Sequence, residues 1–297
     1  MPKTTRKTAS KPTALASRAT LSLREGIFDG IHADDYHADP CLTPSLSSTI
    51  AQLLCLQSPA HAYHAHPRLN ASYAPEHSAQ FDLGKTAHDV LLRGSENVVK
   101  LAFPTYQTKD AKAARDLARQ QGRIPILQHQ WDDVAAMVAA ARTQFPRGMF
   151  KDGKPSRTLV WREPEFGNIW CRARLDYHDS QRQQIDDYKT TAASAAPERW
   201  TRTMFEMGAD IRVAFQLRGL RMLGKTGSAF QFFVQENYAP FAGSVVTLGP
   251  AAMTLADEKV LYALDTWQRC LATGVWPGYP KETHYAEPPA WVKREQR

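Results

Sequence analysis

The segment "QQIDDYKTT", residues 183–191, sets two acids and a lysine inside a stretch that otherwise reads as a strand. Ile185, Tyr188 and the β-branched Thr190 and Thr191 favour extended chain, whereas aspartate is among the residues strands select against. Neighbouring carboxylates repel each other and resist burial, so keeping both costs stability that chemistry would explain. Residues i and i+2 of a strand share a face, so Asp187 and Lys189 point into one space while Asp186 and the Tyr188 ring point away. Upstream, "RARLDY" ends a second alternating segment at Asp176. A hairpin of the two segments would bring Asp176 and Asp187 together at strand ends, at one end of a sheet. Two carboxylates and the Tyr188 backbone carbonyl suit a hard cation such as Mg²⁺, for which Mn²⁺ would substitute. Lys189 beside that ion could orient or deprotonate an attacking water. The plain alternative is a surface ion pair between Asp187 and Lys189, the commoner fate of such residues.

The elements that must hold these residues can be read from period and punctuation. "LTPSLSSTIAQLLCLQSP" places Ser47 or Ser48 as the N-cap of a short apolar helix that stops at Pro59. A polar loop with several His and Pro follows to about residue 77. "AQFDLGKTAHDVLLRG" has Phe81, Ala87, Val90 and Leu91 on one side and Gly94 as its stop, which predicts a helix. Further helices are expected around 109–121 and 129–145. From 157 the period changes to three short alternating segments, which read as an antiparallel meander. Helices over about 197–207 and 211–223, strands over 228–240 and 244–249, and a helix from about 251 to Gly274 complete the chain. This order predicts an α/β fold with a central mixed sheet flanked by helices and no repeats.

Composition narrows the class. The chain has 297 residues, 43% hydrophobic and 23% charged, as in ordinary soluble globular proteins. No apolar run approaches the ~20 residues a membrane span needs, and the N-terminus lacks the apolar core of a signal peptide. The net charge of +7 sits mostly at one end: Lys3, Arg6, Lys7, Lys11, Arg18 and Arg24 face no acid within residues 1–24. A basic, disordered arm over residues 1–25 is expected, followed by a single domain over 26–297; a transit peptide would share the arm's composition. Cys41, Cys55, Cys171 and Cys270 are widely spaced, which argues against a zinc ribbon, an iron–sulfur site or a disulfide framework. They read as reduced thiols in a cytoplasmic protein.

The spacing of Asp176, Asp187 and Lys189, a D-x₁₀-D-x-K, resembles the core of PD-(D/E)-x-K nucleases. More closely, "RARLDY…IDDYKTT" resembles the phage exodeoxyribonuclease VIII (RecE-type) family, distantly similar to lambda exonuclease. "SLSSTIAQLL…SPAH", "FDLGKTAHDVLL", the Gln216 helix, "FFVQENYAPF" and "GVWPGYP" extend the resemblance over most of residues 42–291. The resemblance implies that His88, Asp176 and Asp187 bind metal, that Lys189 is the motif lysine and that Gln216 helps arrange the site. Leu175 stands where the motif has proline, and Leu220 where relatives often carry tyrosine. It further implies Mg²⁺-dependent 5′-to-3′ resection of duplex DNA ends to 3′ single strands in homologous recombination. An annealing protein as partner and a ring-shaped homo-oligomer go with it. Imidazole ligation predicts activity falling below about pH 6.5. An endonuclease on the same core and a catalytically silent DNA-binding module are the alternatives.

Four residues beside the core are candidates for DNA contact: Ser47 and Ser48 at a helix start, where hydroxyls and free N–H groups could hold a phosphate, and Thr190 and Thr191 after the lysine. Capping alone would equally explain the serines. "HAYHAHP" reads as a mostly solvent-facing loop and not as a metal cluster. Trp276 and Tyr279 read as packing of the C-terminal segment, with base stacking as the second reading.

Overall fold

The computed structural model describes residues 21–74 and 83–286. A short strand β1 (Gly26–Phe28) leads to α1 (Ala33–His37), β2 (Leu46–Ser47), α2 (Ser48–Leu56) and α3 (Pro59–His64). Next come α4 (Leu83–Arg93) and a small parallel pair, β3 (Val98–Leu101) and β4 (Ile124–Leu127), joined through α5 (Lys109–Gln120). After α6 (Gln128–Gln144) the chain builds the meander β5 (Lys154–Glu163), β6 (Ile169–Asp179) and β7 (Gln184–Thr191). Two helices, α7 (Pro197–Glu206) and α8 (Ala209–Met222), then carry it to β8 (Ala229–Glu236), β9 (Gly243–Val246) and the long α9 (Pro250–Thr273). The main sheet is mixed, in the order β1-β5-β6-β7-β8-β9, with β2 pairing β6 from the side. The β7–β8 pair is parallel, so its connection must cross the sheet, and α7 and α8 are that crossover.

Helices cover both faces. Leu159, Trp161, Ile185 and Phe232 pack on one side against α2, α8 and α9 residues such as Leu54, Phe215 and Trp267. On the other side Tyr188 and Phe233 meet Ala87 and Val90 of α4 and Met137 of α6. Alternation along β7 therefore sends Ile185 to one core and Tyr188 to the other, which fixes where the intervening acids point.

The approach to β2 is held by a buried polar knot. Asp39 takes the left-handed backbone region at φ 65°. Its Oδ1 accepts from the Ser45 hydroxyl at 2.6 Å and lies 3.1 Å from Arg172 Nη1; Oδ2 accepts from Ser45 N at 2.9 Å and lies 3.4 Å from His66 Nε2. Burial alone would raise the Asp39 carboxyl, but the His66 hydrogen bond and the Arg172 charge outweigh it and hold it below the ordinary value. Asp39→Ala would strand Arg172, only 4% exposed. Loss of about 3–5 kcal/mol in denaturant unfolding is expected, and a loss under about 1 kcal/mol would mean that the knot is dispensable.

Several expectations are corrected here. Within the expected disordered arm, Leu23 is buried and bridges to Cys41, and Glu25 pairs with Arg162 at 2.6 Å. Residues 1–20 lie outside the described residues. The loop expected from 59 begins instead with α3, started by Pro59 in the first turn where a missing N–H costs nothing. His66 is fully buried, not solvent-facing. Trp276, by contrast, packs on Trp267 and Tyr63 as expected, at ring separations of 5.3 and 5.5 Å. No helix among the described residues is long and apolar enough to cross a membrane.

Candidate active site

The site sits at a fork in the sheet. Asp176 and Asp187 do not end their strands, as the sequence suggested; β6 runs on to Asp179 and β7 to Thr191. What ends is the pairing between them. β6 and β7 are matched only at Tyr177–Asp186, His178–Ile185 and Asp179–Gln184. Asp187 is the first residue of β7 past that ladder, and Asp176 the last of β6 before it. Directly opposed carboxylates destabilise a ladder, and here the strands part where two would meet. Gln216 of α8 reaches into the gap and donates from Nε2 to the Arg174 carbonyl at 3.1 Å. This replaces one of the backbone bonds that β6 loses where β7 departs.

Lys189 spans the fork. Its Nζ lies 3.3 Å from Asp176 Oδ2 and donates a short hydrogen bond to Asp187 Oδ1. Asp187 is fully buried, and its Oδ2 has no hydrogen-bond partner among the described residues; Arg212 Nε of α8 lies 3.9 Å from it. Burial, then the charge of Asp176, raises the Asp187 carboxyl against the pull of Lys189 and Arg212. Burial would raise Asp176 as well, but Lys189 and the His88 hydrogen bond hold it well below the ordinary range. The two acids thus differ in environment, one paired on two sides and the other carrying an orphaned oxygen. Asp186 faces the opposite layer, accepting from Phe150 N at 2.8 Å and Gln231 Nε2 at 2.6 Å.

His88 reaches the fork from α4, with Nε2 3.2 Å from Asp176 Oδ2 and Nδ1 3.9 Å from Asp89 Oδ1. Its ring stacks on Tyr188 at 6.0 Å and 18°, and the Tyr188 hydroxyl donates to Gln235 Oε1 at 2.5 Å. α4 can come this close because Gly84, one turn before His88, lies directly against Thr190. Burial pushes the His88 imidazole down, but the Asp176 and Asp89 carboxylates beside it prevail and raise it to about 9. These two carboxylates thus favour the cationic imidazole at neutral pH.

Among the described residues no three His, Cys, Asp or Glu side chains are drawn together as a metal-holding group. Lys189 bridges the acids instead. The chemistry of the donor set still fits a hard divalent cation, and the orphaned Asp187 Oδ2 is the observation that supports it. His88, Asp176 and Asp187 would hold such an ion, with Tyr188 in the stretch of β7 that β6 no longer pairs. A proton must leave His88 for that to happen, which moves the expected pH limit of metal binding upward from 6.5. Mn²⁺ affinity is expected to rise about tenfold per pH unit between pH 7 and 9, with one proton released. The proton's own contribution to the fold has the opposite sign: it is present below pH 6.5 and lost as pH rises through about 9. Calorimetry in buffers of different ionisation heat measures the release, and a pH-independent affinity would remove His88 from the ligand set.

The fork opens into a cleft of about 450 Å³ that includes His88, Asp176, Lys189, Thr190 and Ser48. Ser47 is occupied in capping α2, its hydroxyl accepting from Ile50 N at 3.3 Å, and only Ser48 and Thr49 line the cleft. Thr191 is turned to the following loop, accepting from Ala193 N at 3.0 Å. Sequence reasoning missed Arg174, Arg93 and Arg212, which also line the cleft. Two of them carried a signal: Arg174 is two residues before Asp176 on the same strand face, and Arg212 is one turn before Gln216.

The comparisons agree with this geometry. No curated protein matches the chain. A crystal structure from Eubacterium rectale, of a protein whose exonuclease assignment is provisional, superposes with a TM-score of 0.54. It is 13% identical and covers 83% of this chain and 88% of its own, so the likeness is one of fold. The family described as a PDDEXK-like domain of unknown function (DUF3799) matches residues 47–288. That span includes the fork, its acids and lysine, and the α4 histidine, and the chain belongs to this family of the PD-(D/E)-x-K nuclease superfamily.

Proposed function

We propose that this protein is a divalent-metal-dependent deoxyribonuclease that resects linear duplex DNA from the 5′ end, leaving a 3′ single strand. The observation that carries the reading is the fork itself: Lys189 held between Asp176 and a buried, half-satisfied Asp187. A Mg²⁺ or Mn²⁺ ion there would supply charge stabilisation to the phosphorane-like transition state and the leaving oxygen. With an ion on the acids, Lys189 would orient the attacking water and, once its ammonium has released a proton to solvent, would accept the proton of that water. His88 and the two aspartates would hold the ion, and Tyr188, pinned by Gln235, fixes the His88 ring. Gln216 keeps the fork open by satisfying the Arg174 carbonyl.

The 5′ polarity, the recombination role, an annealing partner and a ring assembly rest on the resemblance to RecE-type nucleases, and a cytoplasmic setting on the four widely spaced cysteines. Digestion of linear duplexes labelled at either end, with and without a 5′-phosphate, beside closed circular DNA, tests the reading. Early release of the 5′ label from linear substrate alone is expected. Early release of the 3′ label overturns the polarity, and nicking of circles makes the protein an endonuclease. Binding without products under Mg²⁺ and Mn²⁺ makes it a silent DNA-binding module.

A further inference from the structure

The cleft at the fork does not stop at Asp176. A second hollow of about 420 Å³ adjoins it, and the two share Ala33, Arg93, Ser156 and Arg174 as a common wall. The cations of that hollow differ in how they are occupied. Lys154 is bound to Asp29 at 2.6 Å. Arg93 donates from Nη2 to the Ser156 hydroxyl at 2.7 Å, with Nη1 3.6 Å from Asp89. Arg174 lies over the Tyr36 ring at 5.8 Å, and its Nη1 is buried with no hydrogen-bond partner among the described residues. A buried guanidinium N–H left unpaired is costly, and beside Arg93 it faces a like charge. An anion entering the shared wall would relieve both.

Position says which anion. Arg174 and Asp176 are i and i+2 on β6, on one face and about 7 Å apart along the strand. That is the scale on which successive phosphates follow one another along a nucleic-acid strand. Arginine's planar fork also matches a phosphate better than a lysine ammonium does. We infer that Arg174, with Arg93, forms a second phosphate subsite for the backbone diester next to the scissile one, the strand continuing into the second hollow. This rests on the nuclease reading above.

The test uses the full chain, 5′-hydroxyl duplex DNA, and Ca²⁺ in place of Mg²⁺ to hold binding without turnover. Arg174→Gln is expected to weaken affinity on the order of tenfold and to flatten the log–log salt slope by about 0.9. Arg174→Lys should keep the slope while losing part of the affinity. Mn²⁺ affinity should match wild type in both, and the melting temperature should not fall. A single uncharged methylphosphonate, scanned along the strand, should weaken wild-type binding at one linkage where it leaves Arg174→Gln unaffected. Unchanged DNA affinity and slope in Arg174→Gln overturn the subsite. A parallel loss of Mn²⁺ affinity makes Arg174 a support of the metal site instead, and a defect seen only with 5′-phosphorylated ends assigns it to the terminal phosphate. Wild type that binds DNA with no salt dependence takes the nuclease reading down as well.

Discussion

Asp187→Asn and Lys189→Ala should fail in different ways. Asp187 is buried, carries an orphaned Oδ2 and sits against both Lys189 and Asp176. Replacing it by the isosteric amide removes one of the anionic donors that would hold the ion, so Mn²⁺ binding and cleavage should disappear together. The fold should survive. Burial and the neighbouring Asp176 raise the Asp187 carboxyl, so its ionised form is disfavoured in the folded state and a neutral side chain relieves that penalty at pH 7. Melting temperature without metal should therefore stay level or rise. Lys189→Ala removes the ammonium that competes with a cation for both acids, so Mn²⁺ affinity should hold or increase. Cleavage should nevertheless fall by about 10²–10⁴-fold, the usual weight of a positioned proton acceptor. Calorimetric Mn²⁺ titration beside single-turnover digestion separates the two. Equal metal affinity in both variants would sink the assignment of Asp187 as a ligand.

What the sequence made legible, and what it hid, follow from the range of the interactions involved. The meander, the helices α7 and α8 and the long α9 were readable because their signals are local: alternation, a first-turn Pro197, a terminal Gly274. The facing of Asp187 and Lys189 away from Asp186 and Tyr188 was readable for the same reason, since it needs only the period of a strand. β2 was hidden because its two residues, Leu46 and Ser47, are extended by pairing with Cys171 and Arg172 over a hundred positions away. β1 likewise takes its conformation from Thr158, Leu159 and Val160 of β5. The fork could not be read as a fork: local pattern placed Asp176 and Asp187 at strand ends, whereas both strands continue and only their mutual pairing stops. His88 and Gln216 came from resemblance alone, because a histidine or glutamine on a helix has no local mark of its task. Arg93, Arg174 and Arg212 were lost among 37 basic residues. Their distinction is that they line the cleft, which is a fact of tertiary structure.

Gly84→Ala should impair the site from outside it. A Cβ at this position would collide with the Thr190 hydroxyl and approach Thr190 Cβ to 2.9 Å. Thr190 belongs to β7 and is fixed opposite Gln235 of β8 in a long parallel ladder, so the helix has to give way. Overpacking of this kind costs about 1–3 kcal/mol. The displacement passes directly to His88, one turn along the same helix face, and opens its 3.2 Å contact with Asp176. Misplacement of a site group by about 1 Å can cost on the order of 10²-fold in rate. The expected result is a loss of that size in cleavage, with weakened Mn²⁺ affinity and a melting temperature lowered by only a few degrees. Thr190→Ala removes the hydroxyl and methyl but leaves its own Cβ, so in the double variant it should restore part of the metal affinity. The two substitutions should be non-additive, because each relieves or creates the same contact. Additive effects, or wild-type Mn²⁺ affinity in Gly84→Ala alone, would show that the close approach of α4 to β7 is packing and nothing more.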